Sequence, residues 1–368
     1  MKKILSLFFG FLCIFAANAA QVANVEYVHT LIEQEWDISI PYNSALSDVH
    51  TVANMKYLLT AIDVANEILN GEKTTDYGNG EFATLQAADT IATNQAVETL
   101  IKKEQKHEFT LTTTDDTNSF GFSISAAGEF VVDWGDNTVE TITKPDTTDT
   151  IYSHNYDTAG AYTIGFSGQA TAYDTSATTA AISFYVNYGG IQSKKIASID
   201  GSLGAIFGTL ADGSQPIFLA TFENATNMTS IPEDLFAGIS GAPARSMFYR
   251  TFFGCSALTS IPENLFAAIS GVLDYYTFQM TFRNCTSLTS IPENLFGNIT
   301  GIKGSSLCGM FYGCTSLTGP SARINGKYLY EIWPDVHFYQ YEPPSPIFKP
   351  YLGCAGLSDY TTMPENWK

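Results

Sequence analysis

Three copies of one phrase decide the fold of this chain: TFENATNMTSIPEDLF (221–236), TFFGCSALTSIPENLF (251–266) and TFRNCTSLTSIPENLF (281–296). They follow one another at intervals of 30 residues, and a broken copy, MFYGCTSLTGP (310–320), and a remnant, YLGCAGLSDY (351–360), come after them. Self-similarity at a fixed period of this length is typical of solenoids, in which each unit buries its apolar side only against its neighbours. The repeats therefore predict a solenoid, and solenoids mostly serve as binding surfaces.

Each full repeat is predicted to contain a short helix, a short strand and a second short helix. In the first copy the second helix would begin at a capping-box pattern, Ser230-x-x-Glu233, with Pro232 in its first turn. It would end at Gly241, because glycine favours the left-handed conformation that stops a helix. Apolar positions between these signals recur every three or four residues and form a core-facing stripe. These signals predict an α/β solenoid.

Four cysteines hold one equivalent place in successive repeats: Cys255, Cys285, Cys314 and Cys354. Equivalent residues stack with parallel side-chain directions, which does not suit disulfide geometry, and a free cysteine packs as a small hydrophobe. The spacings of His and Cys match no zinc pattern. We therefore expect a structural ladder of buried thiols and no metal site.

The chain between residues 107 and 187 alternates apolar and polar residues and is interrupted by Gly, Asp and Asn turns. Strands are predicted at Phe109–Leu111, Phe120–Phe122, Phe130–Val132, Thr141–Ile142, Tyr162–Ile164 and Ile182–Phe184. Short strands at this spacing predict a β-sandwich over residues 106–190.

The N-terminal part of the chain is predicted to be a signal peptide followed by a helical segment. Residues 1–19, MKKILSLFFGFLCIFAANA, have a basic start, an apolar run and a small-x-small cleavage site, so we expect a secreted or cell-surface protein. No later stretch reaches about 18 apolar residues, so no membrane span is expected after cleavage. Residues 20–105 are predicted to form a helical leader or stalk. Their apolar pattern covers under three heptads, which leaves a small bundle, a loose leader and a self-associating stalk that forms homo-oligomers all open.

Charge and motifs argue against several classes of function. The formal net charge is -19, which argues against nucleic acid and anionic membranes as partners. None of the five His residues lies in a GxSxG or HExxH context, and no Gly-rich phosphate loop precedes a helix. We therefore predict that the protein is not an enzyme, with no catalytic residues, no cofactor and no metal.

The least repetitive part of the repeat region, residues 321–351, is rich in aromatic residues and proline. Its candidate ligand-binding residues are Trp333, Tyr339, Tyr341, Tyr328 and Tyr330. Two interpretations stay open. The segment is either a cap that covers the last apolar layer of the repeats or a Pro-stiffened loop whose rings stack on a sugar or a peptide.

Two phrases between residues 132 and 166 resemble the PKD type of immunoglobulin-like domain. They are VDWGDNTVE (132–140) and HNYDTAGAYTIGF (154–166), and the matching residues are Asp133, Trp134, Gly135, Asp136, His154 and Tyr156. Asn137 stands where the family usually has glycine. In that family the two motifs sit together in the core of the sandwich, so the resemblance implies the same arrangement here.

The repeats resemble the BspA-type leucine-rich repeats of bacterial surface proteins, whose units carry an F-x-x-C-x-x-L-x-x-I/L-P core. The second copy fits this core with Phe252, Cys255, Leu258, Ile261 and Pro262, whereas the first copy has Ala225 in place of the cysteine. The resemblance implies a leucine-rich-repeat solenoid with a C-terminal cap over residues 191–368, within a multidomain α+β protein.

For function, the resemblance implies adhesion or ligand recognition at a bacterial cell surface. The partner would be a protein or glycan ligand on a host or neighbouring cell. Two alternatives stay open, a self-assembling structural surface component with a coiled-coil stalk and a polysaccharide-binding accessory protein.

Overall fold

A computed structural model of the 368-residue chain describes residues 107–174, 176, 178–187, 190–293, 295–336, 338 and 349–368. These residues belong to one compact unit, His107–Lys368. The predicted signal peptide (1–19) and the predicted helical leader (20–105) lie outside the described residues.

The first part of the unit is built from two antiparallel sheets. The larger sheet has the strand order β4-β3-β6-β1-β8 and the smaller one has the order β5-β2-β7. The strands are β1 (Phe109–Thr113), β2 (Thr117–Ile124), β3 (Ala127–Asp133), β4 (Val139–Lys144), β5 (Thr150–Gly160), β6 (Thr163–Ala172), β7 (Ile182–Ser183) and β8 (Ile196–Gly201). Strand β8 follows residue 190 and pairs with β1, so this sheet contains residues from both predicted domains.

The core of this part lies between the two sheets. Phe122 on β2 meets Phe166 on β6 edge to face, with ring centroids 5.1 Å apart. The same Phe122 ring lies 5.6 Å from the ring of Trp134, which follows β3. The alternation of apolar and polar residues in β1 turns Phe109 and Leu111 into this core. The two sheets therefore pack face to face around large aromatic side chains.

The predicted multidomain α+β fold with an α/β solenoid is wrong, because the described residues are mainly β-sheet and turns. Within them the α-helices are α1 (Leu203–Ile206) and α2 (Leu329–Ile332), and a 3-10 helix spans Gln192–Lys195. Strands β9 (Gly271–Leu273) and β10 (Ile299–Ile302) are parallel, and β11 (Arg323–Ile324) and β12 (Lys327–Tyr328) form a hairpin. Among the described residues no helix has the length and apolar composition needed to cross a membrane.

Turns replace the first predicted helix of each repeat because half of its N–H groups bond to the next repeat. In the second repeat the N–H of Thr251 closes a turn on the carbonyl of Phe248, at 3.3 Å. The neighbouring N–H of Phe252 donates instead to the carbonyl of Thr281 in the third repeat, at 2.9 Å. The same alternation recurs in residues 246–255, 276–285 and 305–314, which we call the turn ribbons. A helix would bond nearly all of these groups within itself, so the two patterns exclude each other.

The second predicted helix is also replaced by turns. In the first repeat Ala237 N–H donates to the Asp234 carbonyl and Ile239 N–H to the Phe236 carbonyl, each three residues back, at 2.8 and 3.2 Å. The carbonyl of Leu235 accepts from Gly204 of α1. A helix of about ten residues is marginal in water by itself, so its formation depends on packing against neighbouring units. Contacts with neighbouring units therefore override the capping signals.

A column of stacked aromatic rings runs from the sandwich through all the repeats. Successive centroids lie between 5.4 and 6.3 Å apart. The rings belong to Phe109, Phe184, Phe222, Phe252, Phe282, Phe311, Tyr351 and Trp367, all buried. The sandwich and the repeats thus share one hydrophobic core.

Candidate binding surface

The residues that resemble the PKD motifs converge around the hairpin between β3 and β4. Nε2 of His154 on β5 lies 2.7 Å from Oδ2 of Asp136. The imidazole of His154 stacks on the indole of Trp134, with centroids 5.2 Å apart. Tyr156 packs edge-on against His154 and donates its hydroxyl proton to the carbonyl of Trp134 at 2.9 Å. These contacts tie β5 to the hairpin.

The other two motif residues shape the turn itself. The N–H of Gly135 donates to Oδ1 of Asp133 at 2.9 Å. Gly135 has a φ of +81°, and a Cβ at this position would lie 2.5 Å from the carbonyl oxygen of Thr163. Only glycine fits both the left-handed backbone and the close approach of β6. All six motif residues therefore have a structural explanation in ordering the hairpin.

Acidification tests the contact between His154 and Asp136. Burial raises the pKa of Asp136, but hydrogen bonds from His154 and Thr138 outweigh it and hold the pKa below its ordinary value of 3.8. A lowered folded-state pKa means that ionised Asp136 stabilises the fold above pH 3.8 and that this contribution is lost as the pH falls through the folded pKa. In His154→Gln we expect the stability lost between about pH 5 and pH 3 to shrink by about 1 kcal/mol or less.

Urea unfolding at both pH values measures this difference. His107→Gln is the matched control because His107 lies beside Asp133 instead, with Nε2 3.8 Å from Oδ2. An unchanged acid dependence in His154→Gln would show that the histidine does not set the pKa of Asp136.

The four ladder cysteines stack in the core, and each thiol points at the preceding repeat. Each Sγ lies 2.9–3.2 Å from a backbone carbonyl oxygen: Cys255 on Phe222, Cys285 on Phe252, Cys314 on Phe282 and Cys354 on Phe311. The five cysteines of the described residues are buried and form no disulfide, and the fifth is Cys308. Burial raises the pKa of the Cys255 thiol to about 12. The cysteines therefore serve as small core residues with one directed hydrogen bond.

These thiols are expected to be unreactive while the protein is folded. Alkylation and disulfide exchange need an accessible thiolate, and all of these thiols are buried. We expect a thiol-specific chromogenic disulfide to react slowly with these cysteines in the native protein and completely in denaturant. The cysteines are Cys255, Cys285, Cys308, Cys314 and Cys354. One fast equivalent in the native protein, mapped to any of these cysteines by mass spectrometry, would contradict the ladder.

Tyr330 and Trp333 lie in the first half of the aromatic segment, residues 321–351. Tyr330 on α2 is buried, and its ring packs edge-on against Trp367, the last ring of the aromatic column, at 6.5 Å. Phe338 meets the same indole at 4.9 Å. Trp333 is half-buried and packs against the core. These side chains cover the end of the column.

Of the remaining candidate residues, Tyr328 is described and stacks on Tyr330 at 5.0 Å. The guanidinium of Arg323 lies over the ring of Tyr328, 4.7 Å from its centroid. Tyr339 and Tyr341 lie outside the described residues. The structure thus brings Tyr328, Tyr330 and Trp333 together next to the covered end of the column.

A second group of aromatic residues, which no sequence motif indicated, lies on the side of the second, third and fourth repeats. We call it the tyrosine patch, and it consists of Arg245, Tyr249, Val272, Tyr275, Tyr276 and Lys303. Val272 and Tyr275 are two of the few large apolar side chains with high exposure, at 50% and 45%. The patch therefore presents apolar and aromatic area directly to solvent.

The rings and cations of the tyrosine patch are in mutual contact. The guanidinium of Arg245 lies 4.9 Å from the ring centroid of Tyr276. Tyr249 and Tyr275 flank that ring, with centroids 6.4 and 6.3 Å away. Nζ of Lys303 lies 5.3 Å from the ring centroid of Tyr275, so each cation sits against an aromatic face.

A comparison among the repeats themselves is the signal that marks this surface. The ten residues before each repeated phrase read GAPARSMFYR (241–250) and GVLDYYTFQM (271–280), and the next unit has GIKGSSLCGM (301–310). These segments differ at most positions, whereas the phrases after the first two are nearly identical. The shared positions build the core, and the differing ones carry the patch.

A row of charged and aromatic side chains runs along the turn ribbons beside the patch. Nε of Arg250 donates to Oε2 of Glu223 at 2.8 Å, and the guanidinium of Arg250 lies 4.2 Å from the centroid of Phe253. The guanidinium of Arg283 lies between Phe253 and Tyr312, at 5.6 and 4.5 Å from their centroids. This row links four successive repeats through their outward side chains.

A cavity of about 160 Å³ lies between the first and second repeats. Glu233 and Asn264 contribute polar groups, and the apolar lining includes Phe236, Phe248 and Phe266. These three rings pack on one another at 4.7–5.8 Å. The lining is mainly apolar and brings no set of reactive groups together.

Comparison of the chain with protein-family models, with curated proteins and with solved structures found no match. The resemblances to PKD and BspA-type domains therefore stay predictions from their motifs. In the part of the chain that the structure describes, no group of three or more His, Cys, Asp and Glu side chains is placed to hold a metal ion. Function is accordingly argued from the exposed surface.

Proposed function

We propose that this chain is an exported, non-enzymatic recognition protein that binds a partner at a cell surface through its repeats. The observation that carries the proposal is the tyrosine patch. Tyr and Arg are the residue types enriched at protein interfaces, and clusters of them supply most of the binding energy. Here three Tyr residues and one Arg occur together at positions where the repeats differ.

The core does not account for the exposed members of this patch. Val272 lies on β9, and its backbone pairs with Gly301 of β10 whatever its side chain. Tyr275 follows β9 and leaves much of its ring in water. A polar residue at either position would avoid exposing apolar area. Binding a partner explains why this area is apolar.

The test compares patch and control variants of the full chain in a binding screen. Purified matrix proteins, cell-surface proteins and polysaccharides are immobilised, and Tyr275→Ala and Val272→Ala are compared with the parent protein. Tyr185→Ala and Ile151→Ala are matched controls, because these side chains are exposed to similar extents, 37% and 55%, but lie in the sandwich part. We expect at least one partner whose affinity falls about tenfold or more in the patch variants and stays unchanged in the controls.

Two results would reject this function. Absence of any partner across the screen would favour a structural role. A partner that binds the patch variants as well as the parent protein would place recognition elsewhere. Loss of binding in variants of Trp333 instead would favour polysaccharide or peptide binding at the C-terminal aromatic segment.

A further inference from the structure

We infer that the partner of the tyrosine patch is a protein segment that presents carboxylates together with apolar side chains. This inference rests on the proposed function, since it names the chemistry of the partner at the same surface. It is carried by the charges of the patch and by the contact between Arg245 and one of its tyrosines.

Cations are rare in the repeats and concentrate on this side. From residue 196 to residue 322 the chain has four Lys or Arg residues: Arg245, Arg250, Arg283 and Lys303. Two of them belong to the patch, and the other two lie in the adjoining row along the turn ribbons. The exposed glutamates of the IPE phrases, Glu233, Glu263 and Glu293, lie in a different segment of each repeat. The patch is therefore a positive area on an acidic protein, which complements a negatively charged partner.

The internal pairing of the patch leaves cationic capacity for a partner. Lys303 binds Asp274, with Nζ 2.7 Å from Oδ1. Arg245 is exposed and rests over the ring of Tyr276, so its guanidinium is held in place by an aromatic face. Two cations thus stand beside one carboxylate. A guanidinium held in this way can receive an incoming carboxylate through two parallel hydrogen bonds.

Tyr276 occupies a backbone conformation that favours glycine. Its φ is +65°, and the equivalent Ser246 in the second repeat also has a positive φ, of +61°. Positive φ recurs along the turn ribbons, at Arg250, Met280 and Asn284 as well, so this conformation belongs to the ribbon, and Tyr276 is a bulky residue placed in it. In the fourth repeat another left-handed position of the turn ribbon carries Gly309, the unstrained choice. The ring of Tyr276 contacts Tyr249, Tyr275 and Arg245, and its contact with Arg245 positions the guanidinium.

Aromatic and apolar area next to these cations favours a protein segment over a simple anion. Tyr275 and Val272 offer exposed surface to an apolar side chain. Arg245 and Lys303 lie against the neighbouring rings. In the inferred complex they pair with carboxylates of the partner at the rim of that surface. An acidic segment with interspersed leucines matches both features.

The experiment uses the full chain and a labelled synthetic peptide of glutamate and leucine, with a second peptide in which glutamine replaces glutamate. At about 0.05 M salt we expect the glutamate peptide to bind at least tenfold more tightly than the glutamine peptide, and the advantage to fall at about 0.5 M salt. Arg245→Gln and Lys303→Gln should each weaken the glutamate peptide several-fold. Lys327→Gln, an exposed lysine on β12, is the matched control and should have no effect.

Tyr276→Gly separates positioning from structural support. We expect it to weaken the glutamate peptide several-fold without lowering the melting temperature, because glycine relieves the left-handed strain. A fall in melting temperature with unchanged peptide affinity would show that Tyr276 supports only the fold and would overturn its positioning role.

The outcomes also separate this inference from the proposed function. Equal binding of the two peptides, or no binding of the glutamate peptide at low salt, overturns the acidic-segment inference. The proposed function still stands if a partner from the screen is lost in Tyr275→Ala but kept in Arg245→Gln. The proposed function is rejected if the screen gives no partner whose binding depends on the patch.

Discussion

Replacing Phe252 with Ala is expected to lower the free energy of unfolding of the described unit by about 3–5 kcal/mol. Phe252 is fully buried, and its ring stacks between Phe222 and Phe282 at 5.6 and 5.4 Å. The repeats on both sides are tied to its backbone by hydrogen bonds, so they cannot close the resulting cavity without breaking those bonds. Urea unfolding followed by tryptophan fluorescence measures the change.

Phe253→Ala is the matched control for this prediction. Phe253 is the next residue in the chain and the same residue type, but it faces outwards and is only partly buried. Its ring meets Arg250 and Arg283, which are contacts of about 0.5–1 kcal/mol at an exposed site. We therefore expect a loss of roughly 1 kcal/mol or less. Equal losses in the two variants would show that the aromatic column is not the main support of the repeats.

The effect of Phe252→Ala should reach the sandwich as well. Phe184, next to β7, stacks on Phe222 of the first repeat at 5.4 Å, and Ser193 donates its hydroxyl proton to the carbonyl of Glu223. A single shared core predicts one cooperative unfolding transition. In Phe252→Ala, exchange of the backbone amide hydrogens should therefore become faster in β1 and in the turn ribbons to a similar extent. Separate transitions, with the repeats unfolding first, would contradict a shared core.

The strands of the sandwich and the core positions of the repeats could be predicted from the sequence. Alternation at Phe109–Leu111 and Phe130–Val132 lies within β1 and β3, because these side chains alternate between core and solvent. The apolar stripe of the first repeat was predicted to face the core, and its residues Leu235, Phe236 and Ile239 are buried there. The period of 30 residues matches the register in which N–H groups of one ribbon meet carbonyls of the next.

The local backbone of the repeats could not be predicted from the same signals. Ser230, Pro232 and Glu233 are typical of a helix start, yet the segment forms turns whose remaining polar groups bond to other repeats. Capping signals report only what a segment prefers alone, and inter-repeat hydrogen bonds depend on residues some 30 positions away. Strand β8 was missed for the same reason, because its partner β1 is distant in sequence.

The same difference between local sequence signals and contacts distant in sequence holds for the candidate binding surface. The hairpin motif at Asp133–Asp136 and the residues His154 and Tyr156 are close in space, and two specific phrases indicated it. The tyrosine patch combines side chains from three repeats, and an aromatic residue beside a repeated phrase looks like core until the register is known. What marked it was the difference between the repeats at Tyr275 and its neighbours, a signal visible in the sequence without any structure.

Replacing Arg250 with Ala is expected to destabilise the unit by about 3 kcal/mol, because it leaves a buried carboxylate without its counter-charge. The side chain of Glu223 is only 3% exposed and that of Arg250 32%, so most of the cost comes from the glutamate. Arg245→Ala is the matched control. Arg245 is exposed and contacts a ring, so its loss should cost less than about 1 kcal/mol.

A double-mutant cycle decides whether the uncompensated charge is the cause. If it is, Arg250→Ala combined with Glu223→Ala removes the buried charge as well, and the double variant should be more stable than the sum of the single losses predicts by about 1–3 kcal/mol. Arg250→Gly should cost about 1 kcal/mol less than Arg250→Ala, because Arg250 has a φ of +58° that glycine adopts freely. Additive losses in the cycle would mean that the two side chains stabilise the ribbons independently, by packing against Phe253 and the core, and that the ion pair between the first and second repeats contributes nothing of its own.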